Sequence, residues 1–77
     1  MDEILLQAIQ DERDRQDAKW GSQRKLPQEV WLTILVEEVG EVAESILERD
    51  ETNYPVELVQ VAAVAVAALE SWNRRND

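Results

Sequence analysis

The stretch Val56-Glu57-Leu58-Val59-Gln60-Val61-Ala62-Ala63-Val64-Ala65-Val66-Ala67-Ala68-Leu69 decides the fold. It shows no period-two alternation, so it reads as a helix running roughly from Val56 to Asn73. Its apolar residues leave almost no polar face, and a helix apolar all round is buried all round. Two more helices from a chain of 77 residues cannot surround it, but a second copy of the chain can. The alanines at 62, 63, 65, 67 and 68 also allow close helix–helix approach.

Outward from this segment, two breaks divide the chain. Asp50-Glu51-Thr52-Asn53-Tyr54-Pro55 forms one, and Gly21 and Pro27 bracket the other. The segment between them predicts a helix from Gln28 to Glu48 or Arg49. In it Leu32, Leu35, Val39, Val42 and Ile46 recur at spacings of 3, 4, 3 and 4, a heptad-like seam suited to antiparallel packing. The segment before Gly21 predicts a helix from Asp2 to Ala18. Ile4, Leu5, Ala8 and Ile9 give it a short apolar stripe. Its second half is charged, as a solvated face or the wall of a polar site would be. The expected fold class is all-α: one domain over residues 1–77, a three-helix protomer assembling into a helical bundle with a second copy.

Composition narrows the function. Eight Lys and Arg stand against seventeen Asp and Glu, a net charge of −9, which disfavours binding to nucleic acid. With no Cys and no His, disulfides, thiolate nucleophiles, zinc–thiolate sites and Ser-His relays are all excluded. Acid–base or metal chemistry here falls to carboxylates. The N-terminus is acidic where a signal peptide is basic. The longest unbroken apolar run, Val61 to Leu69, is shorter than the ~20 residues a bilayer needs. A soluble, cytoplasmic protein with no membrane partner is expected. A chain this short gets only about 3–5 kcal/mol from its own core, a second reason to expect self-association.

Glu57 and Gln60 interrupt the apolar helix three residues apart, on one face. Glu38 and Glu41 are also three apart, on the shoulder of the second helix's seam, while Glu37 points nearly opposite it. A short break should fold the two helices into an antiparallel hairpin. Sequence leaves open whether Glu57 meets Glu38 and Glu41 within one chain or across a dimer. If they converge, carboxylates about 4 Å apart repel by roughly 4 kcal/mol at an effective dielectric of 20, and three such charges would not stay ionised together without a cation. Oxygen ligands without His or Cys select Mg²⁺, Mn²⁺ or Ca²⁺. Two plainer readings stand beside this one: a Glu pair on a solvated face, and a Glu57 that favours the helix dipole from the first turn.

Glu37-Glu38-Val39-Gly40-Glu41-Val42-Ala43 resembles the Glu-Glu-x-x-Glu helix of MazG-like nucleoside triphosphate pyrophosphohydrolases, members of the all-α NTP pyrophosphatase superfamily. The family pattern continues with Glu-x-x-Asp on the next helix, where this chain has Glu57-Leu58-Val59-Gln60. Glu12-Arg13-Asp14-Arg15-Gln16-Asp17-Ala18-Lys19-Trp20-Gly21 and Trp31-Leu32-Thr33-Ile34-Leu35 are similar to the short phage and bacterial branch, so the resemblance spans nearly the whole chain. It implies Mg²⁺, with Mn²⁺ as a substitute, held by Glu38, Glu41 and Glu57. Gln60 replaces the family's Asp; its amide oxygen can ligate but brings no charge, so metal affinity should fall. Glu41, Glu38 and Glu37 are the implied candidates for orienting or deprotonating water. Gln16, Lys19, Trp20 and Trp31 match the nucleotide pocket, with Trp31 equally suited to the core and Trp20 to plugging a helix end. Arg24 and Lys25, with Arg15 and Lys19, are the phosphate candidates. The implied reaction is hydrolysis of a (d)NTP to (d)NMP and pyrophosphate by a homodimer or dimer of dimers. The alternative is a non-catalytic acidic helical dimer acting as an interaction module. A di-iron bundle would want Glu-x-x-His and is disfavoured.

Overall fold

The computed structural model describes residues 1–75. Among them the chain forms three α-helices and no strand: α1 (Glu3–Trp20), α2 (Gln28–Leu47) and α3 (Asn53–Asn73). The helices α1 and α2 each pack on α3 rather than on one another.

Local chemistry sets the helix ends. Asp2 caps α1 by accepting from the Ile4 N–H at 2.7 Å. Gly21 closes α1 at φ 93°, its N–H donating to the Asp17 carbonyl at 2.8 Å; this backbone region suits glycine. The end of α2 lacks that signal, because the left-handed residue is Arg49 at φ 55°. The Asp50 N–H then reaches back to the Ser45 carbonyl at 2.9 Å, satisfying a terminal acceptor. Asp50 next caps α3, accepting from the Asn53 N–H at 3.0 Å. The third helix therefore starts at Asn53, three residues before the position expected from Pro55. That proline lies in the first turn, where its missing N–H has no intrahelical acceptor to lose.

Packing between α2 and α3 differs from the seam expected for α2. The α2 face toward α3 carries Trp31, Ile34, Leu35, Glu38, Val42 and Ser45, with Trp31 and Ser45 buried. Leu32, Val39 and Ile46 instead turn outward, each between 51% and 59% exposed. The physical reason is that α2 has two apolar stripes, and the one facing α3 is anchored by the large Trp31. Buried positions on α3 answer it at matching intervals: Glu57, Val64, Ala67 and Ser71, with half-buried Gln60 between the first two. Trp31, Val64 and Ala67 form the core, packed round by Leu26, Ile34, Leu35 and Ala68. The α2–α3 contact is thus apolar at one end and carboxylate-rich at the other.

α1 buries its polar half. Ile4 and Leu5 of the apolar stripe are exposed, whereas Arg13 and Gln16 are buried. Arg13 donates through Nε and Nη2 to Glu70 Oε1 of α3, at 3.0 and 2.6 Å. Its Nη1 reaches Gln16 Oε1 at 3.3 Å and pairs with Asp17 at 3.0 Å. We expect Arg13→Ala to cost about 1–3 kcal/mol in urea unfolding. That is less than a fully buried pair would lose, because Glu70 remains half exposed.

By length and composition alone α3 is apolar enough to cross a membrane, with mean hydropathy 1.3, despite its short unbroken apolar run. The buried helix of a bundle has the same composition, but α3 is not buried all round as expected: both other helices pack on it, yet only 28% of the apolar window is buried in the single chain.

Candidate metal centre

Glu38, Glu41 and Glu57 each place a carboxylate oxygen within 4.8 Å of the other two, all from one chain. The antiparallel α2–α3 pairing produces this. Glu57 enters from the buried face of the first turns of α3, opposite the later turns of α2, where Glu38 is half-buried and Glu41 sits at the solvent edge.

Two amides hold Glu57 from either side. Asn53 Nδ2, one turn back, donates to Oε1 at 3.1 Å. Among ionised carboxylates with no cation between them, the Gln60 amide fits in one orientation, since the other would set its oxygen against carboxylate oxygens. With its nitrogen inward, Gln60 donates to Glu57 Oε2 at 2.8 Å and to Glu38 Oε2 at 3.0 Å. In this cation-free arrangement the Gln60 oxygen faces away from the carboxylates, and a half-turn of the amide would present it as a ligand.

Crowded charge and burial raise two of the carboxyl groups. Glu41 is pushed up to about 7, first by its hydrogen bond with Glu57 and then by the charge of Glu38. Glu38 is raised first by burial, then by the charges of Glu57 and Glu12. A group whose folded value lies above its unfolded one leaves the folded chain holding more protons in between, so stability is lost as pH climbs. In EDTA, the melting temperature should fall from about pH 4.5 to about 7, the interval Glu41 spans, and Glu41→Gln should flatten that fall.

The donor set suits a hard cation. An octahedral ion with bonds of ~2.1 Å holds oxygens no more than about 4.2 Å apart, close to the spacing already present. Among the described residues no His or Cys competes, and three carboxylates without soft ligands match Mg²⁺ or Mn²⁺ rather than zinc or copper.

Two clefts flank the centre and differ in charge. On one side, about 280 Å³ is lined by Glu41, Glu44, Ser45, Glu48, Asn53 and Glu57. On the other, about 220 Å³ is lined by Glu12, Arg15, Gln16, Trp20, Arg24, Ile34, Glu38 and Val64. Glu38 forms part of this second wall and ties it to the carboxylates. Arg15 grips Glu12 through two hydrogen bonds, at 2.8 and 2.6 Å, which hold the Glu12 carboxyl below its usual range. Lys19 and Arg24 both lie over the Trp20 ring, at 4.6 and 5.5 Å from its centre.

The sequence candidates divide accordingly. Gln16, Trp20, Arg24 and Arg15 line the second cleft, whose two arginines are balanced by Glu12 and Glu38, and Lys19 reaches it through Trp20. Lys25 is exposed in the following loop. Trp31 is buried in the core and does not line the cleft, although Arg24, whose guanidinium stands 5.0 Å from its ring centre, does. Glu37 is exposed and outside the three-carboxylate group. Glu12 and Arg13 were not anticipated as site residues. Their signal was present in the i,i+3 and i,i+4 pairings with Arg15, Gln16 and Asp17, whereas nothing local marks Glu70 as Arg13's distant partner. A more apolar cleft, about 430 Å³, lies between Trp31, Leu35, Ala68 and Trp72; it lacks carboxylates and stands apart from this chemistry.

No family model, curated protein or solved structure matches the chain.

Proposed function

We propose that this chain is a Mg²⁺-dependent nucleotide pyrophosphohydrolase of the MazG-like kind, cleaving a (d)NTP to (d)NMP and pyrophosphate. The observation that carries this reading is a three-carboxylate centre sharing Glu38 with a cleft that holds two arginines, a glutamine and an indole. Hard cation, phosphates and base each find matching chemistry there.

In this reading Glu38, Glu41 and Glu57 hold the cation. Mg²⁺, when bound, polarises the phosphate oxygens and offsets charge developing at the α–β anhydride. Arg15 and Arg24 face the polyphosphate. Trp20 offers its ring to a base, displacing one of the two cations now stacked on it, and Gln16 reads a base edge. The Gln16 oxygen already accepts from Arg13 and its nitrogen donates to Glu12 at 3.3 Å, so only its second N–H and second lone pair are left for a base. The acidic cleft beyond Glu41 repels phosphate, so the substrate enters from the α1 side. A carboxylate must position the attacking water and take its proton. Glu41, Glu38 and Glu37 are the candidates for that role.

The same proposal makes the protein a homodimer or dimer of dimers, with α3 as a core helix and the chain cytoplasmic. The single chain exposes 5674 Å², about 870 Å² more than the roughly 4,800 Å² typical of a monomer of its mass. Stable interfaces cover about 800 Å² per partner.

Thermal shift tests the metal half directly. Mg²⁺ at a hundredfold excess over Kd stabilises a binder by about 2.7 kcal/mol. The melting temperature should rise with Mg²⁺ and lose that rise in Glu38→Ala and Glu57→Ala. No response to Mg²⁺ and nucleotide together would favour the non-catalytic module.

A further inference from the structure

Gln60 is the one polar side chain of the α2–α3 contact whose orientation runs against the role expected for it. A ligand would point its oxygen at the carboxylates. The Gln60 nitrogen instead bridges Glu57 Oε2 and Glu38 Oε2, at 2.8 and 3.0 Å. Those two carboxylates come from different helices, and the charge of Glu57 acts on Glu38. One NH₂ group carries two hydrogens, so a single amide can donate to both oxygens at once. A hydrogen bond to an ionised acceptor is roughly twice as strong as one between neutral groups.

We propose that Gln60 is a positioning residue that cross-links Glu38 and Glu57 as a double donor, holding the two carboxylates together before any cation arrives. The proposal deepens the metal-dependent reading and rests on it for its purpose, though not for its geometry. It gives the position a physical logic. A carboxylate at 60 would add a further negative charge to a crowded group and remove both donors. Glutamine removes that repulsion and preforms the spacing, at the cost of one charged ligand. Asn53 completes the arrangement from the other oxygen of Glu57. Glu57 is thereby fixed by neutral donors on both sides, which accounts for a carboxylate that is only 8% exposed.

The test begins without metal. In ¹⁵N-labelled protein in EDTA at pH 8, the two Gln60 amide protons, assigned by their loss in Gln60→Leu, should be shifted from free-glutamine positions. They should also exchange more slowly than those of exposed glutamines such as Gln28. Gln60→Glu should lower the metal-free melting temperature by roughly 5–10 °C at fixed protein concentration, and Mg²⁺ should restore most of that loss. Gln60→Leu keeps the site's charge and should lose stability without comparable rescue. Free-glutamine shifts with fast exchange, or an unchanged metal-free melting temperature in Gln60→Glu, would overturn the proposal. These readouts need no cation or turnover, so an inactive wild-type protein with a protected Gln60 amide would sink the hydrolase reading and leave the cross-link standing.

Discussion

Glu57→Ala is expected to lower Mg²⁺-dependent hydrolysis by about a thousandfold, equivalent to roughly 4 kcal/mol of transition-state stabilisation. Among the three clustered carboxylates, Glu57 alone is buried. It also meets Gln60, Asn53 and Glu41 at once. Alanine there removes a proposed cation ligand and leaves two amide donors without their acceptor. Glu57→Gln keeps the size but not the charge and should also be severely impaired. Glu37→Ala is the contrast. Its side chain is exposed and outside the cluster, so its loss should stay within about tenfold, an outer-sphere effect. Steady-state rates for the three variants, with circular dichroism to verify helix content, check the ordering. Equal losses for Glu37 and Glu57 would mean that the carboxylates work in a different arrangement.

The second large effect concerns assembly. Val36→Lys combined with Ile46→Lys should convert the protein to a monomer and lower its melting temperature by more than about 10 °C. Both positions are 59% exposed in the single chain. With Leu32, Val39 and Ala43 they form an outward stripe on α2 at spacings of 4, 3, 4 and 3. Such a stripe has the period of a helix–helix seam, yet none of the described residues covers it. Charges placed there leave the Trp31–Val64–Ala67 core and the carboxylates intact. Sedimentation should show the unmodified protein as a dimer or larger at micromolar concentration, with a melting temperature that rises with concentration. A stable wild-type monomer whose melting temperature ignores concentration would remove the assembly from the proposal.

Particular residues show how far the sequence could be read. The helices were legible because Gly21, Pro27 and Pro55 punctuate a chain with no strand periodicity. The carboxylate cluster was legible as a possibility, since Glu38 with Glu41 and Glu57 with Gln60 each share a helix face. Which chain would bring them together was not, because helix rotation decides it. α2 has two apolar stripes, and spacing alone favoured Leu32, Val39 and Ile46 for the core. The bulk of Trp31 turns the other stripe inward and carries Glu38 from the edge of the contact to its middle. The start of α3 was misplaced because Pro55 reads as a break, although a first-turn proline costs a helix little. Arg13 could not be assigned a partner from sequence, because Glu70 lies at the far end of the chain. The orientation of the Gln60 amide depends on two acceptors from two helices and has no sequence signal at all.

The central claim is that a nucleotide is cleaved at its α–β anhydride by carboxylates that hold a divalent cation. Incubating the purified protein with each NTP and dNTP, with and without Mg²⁺, and separating the products tests it most directly. The expected result is NMP and pyrophosphate, formed only with the cation and lost in Glu57→Ala. Absence of turnover with both Mg²⁺ and Mn²⁺, or formation of NDP and phosphate that persists in Glu57→Ala, would contradict it.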